Sequence, residues 1–391
     1  MVAGIICECN PLHAGHIYLM EEARRAGAET IVCLMSGCFV QRGEAAVADP
    51  YARAEILLRA GADAVFELPY PFSSASAEFF GAAGVNILSR LGVDTLWFGS
   101  ECGDIALLQQ LADLADSPAF SECYTKALDG NNGTASAYFD ALRMLYGKEI
   151  PCSPNDILAI SYLRALNKYR SCMIPYTVKR QGSGYGEKTL SEEGFPSATA
   201  LRRAWCETGL ETIRGKLPAD CFAILQHQEE IGRAPASLQN AESLVLGCFR
   251  LRSETSLADI CGLEGGLAQR MCRMASHADS LQSFLALSAT KKYTGARLRR
   301  GILFALTDIT DADLRRMPDF VRLLGANGKG RAFLSAVRKS SEISIVTKQS
   351  DIPREAEYQL AMEEKERTLY TLCLPEKEDI KHLLTRTALI L

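Results

Sequence analysis

Long hydrophobic runs are missing from this chain: no uninterrupted apolar stretch approaches the roughly 18 residues that a membrane span needs. The first residues also lack a basic stretch followed by an apolar core and a small-residue cleavage site. The expectation is a cytoplasmic protein with no membrane partner. An excess of basic charge is absent too, since 43 Lys and Arg face 47 Asp and Glu for a net charge of -4. A protein coated in positive charge is thereby excluded, though not one with a local basic patch. The fourteen cysteines contain no CxxC pair and are irregularly scattered. That pattern fits reduced thiols, most of them small core residues, better than a disulfide framework. No internal repeat or low-complexity tract is evident, and 48% apolar with 23% charged residues excludes a disordered or fibrous chain. At 391 residues the chain exceeds one ordinary core, and about 150 residues per domain gives two or three. Histidine is scarce as well, with five in all.

What is present begins as an alternation. Ile5 to Cys7, Thr30 to Met35, Ala64 to Leu68 and Thr95 to Phe98 are short β-type runs. Between them, Gly15 to Ala26, Tyr51 to Ala60 and Ala75 to Arg90 place apolar residues at helical spacing. Strand and helix in alternation predict a parallel sheet flanked by helices, a Rossmann-like α/β beginning. A helix is expected from Asp156 to about Asn167, then a strand in "MIPYTVKRQ", then a glycine-rich loop closing into a helix near Ser197. The first, Rossmann-like domain is therefore placed at residues 1–205. Residues 206–391 show mostly helical spacing and are expected to form a mainly α-helical second domain, with Ile343 to Lys348 able to supply a short strand. Between Lys291 and Lys339, twelve Lys and Arg face Asp308, Asp311, Asp313 and Asp319. The local charge is thus 12 - 4 = +8, a candidate contact for a polyanion.

Two of the five histidines fall in "CNPLHAGH", directly after the first expected strand. A loop that leaves the first strand and enters the first helix lies at the carboxyl edge of an open α/β sheet, where ligands bind. His13 and His16 would project from the first helical turn, with Gly15 between them allowing close approach and the helix start favouring an anion. The pattern HxGH in this position is the nucleotidyltransferase signature: two imidazoles able to donate to phosphate oxygens as charge builds. "SATALR" offers Ser197, Thr199 and, one turn on, Arg202, which suit the outer phosphates of a nucleotide. Other readings stand beside these: a chance surface pair, a zinc set of Cys7, Cys9, His13 and His16, and for "SATALR" an ordinary Ser cap with a solvated arginine.

The blocks "GIICECNPLHAGH", "MSGCFVQRGEAAV", "FGSECGD", "PNDILAISYLRAL", "SATALRR" and "KKYTGARLRRGI" together resemble the tRNA(Met) cytidine acetate ligase family, over nearly the whole chain. The resemblance implies an enzyme that uses ATP, with Mg2+ accompanying it, to activate acetate as acetyl-adenylate. The acetyl group then passes to the wobble cytidine of elongator tRNA(Met), giving N4-acetylcytidine. It implies nucleotide contacts from Ile6 to Leu19, including Ile6, Cys7, Glu8, Asn10, Gly15 and Leu19, and from Gly99, Asn155, Arg180 and Gln181. His13 and His16 would be catalytic, and Lys291, Lys292, Arg297, Arg299 and Arg300 would meet tRNA phosphates. No protein-held metal site and no protein partner is implied. The chain departs from the usual family pattern at Cys9, Ala14, Pro50–Tyr51 and Ala159. Two rivals remain on the same motifs: a small-molecule adenylyltransferase of cofactor biosynthesis, commonly about half this length, and a non-catalytic RNA-binding protein on the same fold.

Overall fold

The computed structural model describes residues 1–129, 133–150, 153–180 and 196–391. Five parallel strands form as expected: β1 (Val2–Cys7), β2 (Thr30–Ser36), β3 (Ala64–Leu68), β4 (Thr95–Ser100) and β5 (Ile174–Lys179). Their spatial order, β5-β4-β1-β2-β3, has the chain step one way from β1 and then the other. The switch point lies between β1 and β4, and a crevice opens there at the carboxyl ends of the strands. Helix α1 (Ala14–Arg25) follows β1, α2 (Pro50–Arg59) follows β2 and α3 (Ala77–Arg90) follows β3.

Both sheet faces are covered, which explains why these strands read as continuous apolar runs. Ile6, Val32, Leu34 and Phe66 enter one core, while Ile5, Cys7, Cys33 and Val65 enter the other. Among the described residues no helix is long and apolar enough to cross a membrane, and the described cysteines are all free.

The chain after residue 205 is helix-rich, yet the sheet does not stop at that boundary. A strand that the sequence reading did not anticipate, β6 (Phe320–Ala326), pairs antiparallel with β3. On it are built β7 (Ser344–Val346), within the stretch expected to supply a strand, and β8 (Leu389–Ile390). The result is one eight-stranded sheet. The reason lies in a charged residue, Arg322, that disguised β6 and finds its partner across the sheet. Glu67 in β3 stands opposite Arg322 in β6, each at most 3% exposed. They belong to a buried cluster with Glu363, Glu366 and Arg367 from the helix Glu357–Cys373. Arg367 Nη2 lies 2.8 Å from Glu67 Oε2, and Arg322 Nη2 lies 2.7 Å from Glu363 Oε2.

Candidate active site

The two histidines of the first loop cap their own helix. His13 is the residue before the first turn of α1, with extended backbone, and His16 stands three residues on. The Nδ1 of His13 accepts from the Gly15 N–H at 3.0 Å, and the Nδ1 of His16 accepts from the His13 N–H at 3.2 Å. This is the reciprocal arrangement of a capping box, made here by two imidazoles. Because each Nδ1 accepts, each neutral ring carries its proton on Nε2, and neither Nε2 has a protein partner among the described residues. The ring centroids are 3.9 Å apart. Burial, then the His16 charge and the guanidiniums of Arg180 and Arg202, hold His13 well below the ordinary histidine pKa. Burial and Arg180 bring His16 down to about 4. At neutral pH the pair is therefore uncharged and offers two N–H donors.

Two details differ from expectation. The amides of His13, Gly15 and His16 already have acceptors within the turn, so these three are not free to donate to an anion, whereas the imidazole Nε2–H groups are. A side chain at Gly15 would come within 2.9 Å of Nδ1 of His13, so the glycine makes room first for that ring.

The rest of the first loop is held from behind. Asn10 is buried, and its Oδ1 accepts from the Val47 N–H at 2.8 Å. Arg53 of α2, wholly buried, donates to the carbonyls of Glu8 at 2.7 Å, Ala48 at 2.9 Å and Ser36 at 3.0 Å, and also to that of Gly37. It ties the end of β1 to the end of β2. Ile6 and Cys7 are core residues and Leu19 packs against the core, so these three support the loop from beneath. Glu8 accepts from the Gln41 N–H at 3.0 Å, and burial raises its carboxyl pKa against the pull of Arg202 and Arg42.

Arg202 reaches the same loop. Its Nη1 donates to the Asn10 carbonyl and its Nη2 to Glu44 Oε2, both at 2.7 Å. Ser197 caps the helix Ala198–Thr208 through the Ala200 N–H, and Thr199 accepts from Arg42 at 3.3 Å. On the other side of the switch point, Gly99 lies in β4 beside Arg180, whose Cγ would be 3.3 Å from a side chain there. Asn155, in the first turn of the helix Pro154–Tyr169, donates to Glu101 at 2.6 Å. That helix starts two residues earlier than expected because Ser153 caps it. Gln181 lies outside the described residues.

The structure thus brings His13, His16, Arg180 and Arg202 together, with Gly99 and Asn155 alongside. It does not bring together a zinc set, for among the described residues the single three-ligand grouping is Cys261, Glu264 and Asp311. Cys7 and Cys9 are buried. Sequence reasoning missed Arg53, Glu44 and Glu101. The available signal was a charged residue inside a quoted block, Glu44 in "MSGCFVQRGEAAV" and Glu101 in "FGSECGD"; Arg53 lies outside them.

The HIGH nucleotidyl transferase family model matches residues 1–383. The tRNA(Met) cytidine acetate ligase of Caldanaerobacter subterraneus subsp. tengcongensis is 35% identical over 355 residues, covering 88% of each chain. That of Caldicellulosiruptor saccharolyticus is 34% identical over 388 residues, covering 97% of this chain and 96% of its own. This chain belongs to that family of HIGH nucleotidyltransferases. Thermotoga maritima TmcAL in its apo form superposes with a TM-score of 0.93 at 30% identity, over 100% of this chain and 99% of that one. The same protein bound with alpha-thio ATP gives 0.90 at 30% identity, with the same coverage.

Of the five basic residues expected to meet RNA, Lys291 and Lys292 are exposed in the turn before the helix Gly295–Thr307. The others are engaged within the protein. Arg297 pairs with Glu264 at 3.2 Å, Arg299 with Glu44 at 3.3 Å, and Arg300 donates to the Gln41 carbonyl at 3.4 Å. Burial and the neighbouring Arg297 lower the Arg300 pKa to about 10. With Arg322 buried in β6, part of the local +8 is internal and does not face solvent.

Proposed function

We propose that this chain is an ATP-dependent ligase that forms N4-acetylcytidine at the wobble position of elongator tRNA(Met) from acetate. The observation that carries the reading is the reciprocal histidine cap at the switch point: two Nε2–H donors, fixed in tautomer and uncharged, beside Arg180 and Arg202. In the first step an acetate oxygen attacks the α-phosphorus of ATP, the bond to the bridging oxygen breaks, and pyrophosphate leaves with acetyl-adenylate formed. His13 and His16 donate to the oxygens on which charge develops, and Arg202 holds the outer phosphates once it exchanges Glu44 for them. In the second step the exocyclic amine of cytidine attacks the acetyl carbonyl, AMP departs, and one proton is lost from nitrogen.

Magnesium would be the counterion of the nucleotide's phosphates. Glu8, Glu44 and Glu101 are each engaged by an amide or a guanidinium, so the donor set offers no protein cage for it. The phosphate oxygens are its natural ligands, and there it would neutralise their charge. Arg299, Glu44 and Arg202 form a continuous chain of contacts. That chain links the helix proposed to meet the tRNA to the nucleotide site. Near full-length similarity to named ligases supports this reading over a cofactor-making adenylyltransferase, and the intact histidine pair supports it over a non-catalytic binding protein. The test is acetate-dependent exchange of labelled pyrophosphate into ATP. Wild-type protein should exchange, and His16→Ala should not, while still binding tRNA. Undiminished exchange in His16→Ala would remove the active-site assignment.

A further inference from the structure

Glu101 lies just past Gly99, where β4 ends, and its carboxylate gathers three groups. Oε1 accepts from Nδ2 of Asn155 at 2.6 Å and lies 3.5 Å from Nε of Arg180. Oε2 accepts from the Ser153 hydroxyl. The backbone is pinned as well, because the Glu101 N–H donates at 3.1 Å to Oδ1 of Asp156, which is fully buried. The other Asp156 oxygen accepts from the Ser153 N–H at 3.4 Å. Glu101 is therefore bolted to the first turn of the helix Pro154–Tyr169 through Ser153, Asn155 and Asp156.

The amide of Asn155 donates at one end and accepts at the other, whereas an ionised carboxylate only accepts. Facing Glu101, the amide has one favourable orientation, with Nδ2 toward the carboxylate. The opposite orientation would set Oδ1 against Oε1 at 2.6 Å. Oδ1, which has no donor among the described residues, is left on the other side. Glu101 also neutralises Arg180, which lies beside Gly99 and lowers the pKa of both active-site histidines.

We propose that Glu101 is a positioning residue that fixes Asn155 with its amide oxygen presented to the nucleoside, so that the site selects a hydrogen-bond donor there. The proposal rests on the nucleotide-site reading above. Two donors of a nucleoside fit this chemistry: the 6-amino group of the purine and a ribose hydroxyl. Guanine, with a carbonyl at that position, would set acceptor against acceptor.

The test measures equilibrium binding of ATP, purine riboside triphosphate, 2′-deoxyATP and 3′-deoxyATP to the full-length protein. Wild-type protein should bind at least one of the three analogues about tenfold more weakly than ATP, the loss of one hydrogen bond, and which one it is identifies the donor. Glu101→Gln, whose side-chain amide lets Asn155 turn either way, should lose that discrimination and weaken ATP by a similar factor. Asn155→Ala should lose it equally, and the double variant should be no worse than Asn155→Ala alone. Retained discrimination in Asn155→Ala, or additive losses in the double variant, would overturn the proposal. Retained discrimination in the single Asn155 variant overturns the proposal even if Glu101→Gln does not fold. Wild-type protein that binds every triphosphate equally also overturns it. The expected pattern across the variants, in protein that fails to exchange pyrophosphate, upholds Glu101 and removes the catalytic reading instead.

Discussion

Glu366 is the residue whose substitution tests the packing argument most sharply. It sits wholly buried, with Oε1 accepting from the Cys38 N–H at 2.9 Å and Oε2 unpartnered. Glu67 Oε1, also unpartnered, lies across Gly37, where a side chain would come within 2.5 Å of Glu67 Oε1 and 2.8 Å of Glu366 Oε1. Burial first, then the Glu67 charge, raise the Glu366 pKa to about 8, against the pull of Arg367. The groups around it are Glu67, Glu363, Arg367, Cys38 and, beyond Cys38, Arg53. In the unfolded chain the same carboxyl ionises near 4.5. As pH rises from about 4.5 to about 8, the unfolded state therefore releases a proton that the folded state keeps, and folding stability falls. One step in pKa is about 1.4 kcal/mol, so the loss is on the order of 5 kcal/mol. Glu366→Gln removes the ionisation, keeps an oxygen for Cys38 and gives Glu67 a donor. Urea unfolding at pH 5 and pH 9 should show a large fall in stability for the wild type and a much smaller one for the variant. Equal pH dependence in the two proteins would refute the reasoning.

Three further outcomes follow from the site. Arg53→Met leaves buried carbonyls of Glu8, Ala48, Ser36 and Gly37 without their donor, so it should cost about 3 kcal/mol or more. Arg53→Lys should not restore it, because one ammonium cannot serve acceptors arrayed around a planar fork; a denaturation midpoint matching wild type in either variant would contradict this. His16, with its folded pKa lowered to about 4, should show by nitrogen-edited NMR a neutral, Nε2-protonated ring between pH 5 and 8. Its contribution to stability should fade only as pH drops from about 6.5 toward 4, and titration near 6.5 would speak against the cap. Replacing Lys291 and Lys292 together with alanine should reduce the slope of log affinity for tRNA against log salt by up to about 2, whereas an unchanged slope would take these residues out of the interface.

Much of this was legible in the sequence, and for a physical reason. Strands β1 to β4 are buried on both faces, so their apolar runs stand out, and the three-residue spacing of His13 and His16 is itself the spacing of a capping box. What stayed hidden were charges placed indoors. Arg322 interrupts β6, and only its pairing with Glu67 across the sheet makes it a strand residue. For the same reason the apparent boundary near residue 205 did not reveal that the later chain completes the sheet. Arg299 and Arg300 read as surface cations because spacing along a helix cannot say that the loop around Gln41 to Glu44 lies against them. Glu101 was silent because its role exists only once β4, β5 and the helix at Pro154 meet.

The central claim is that this site joins acetate to a tRNA base at the expense of ATP. The direct measurement is mass spectrometry of nucleosides from unmodified elongator tRNA(Met), after incubation with the pure protein, ATP, Mg2+ and isotopically labelled acetate. Labelled N4-acetylcytidine that disappears when ATP is omitted, and in His16→Ala, is the predicted result. Unmodified cytidine from protein that still exchanges pyrophosphate into ATP would contradict it, leaving an adenylating enzyme with a different acceptor.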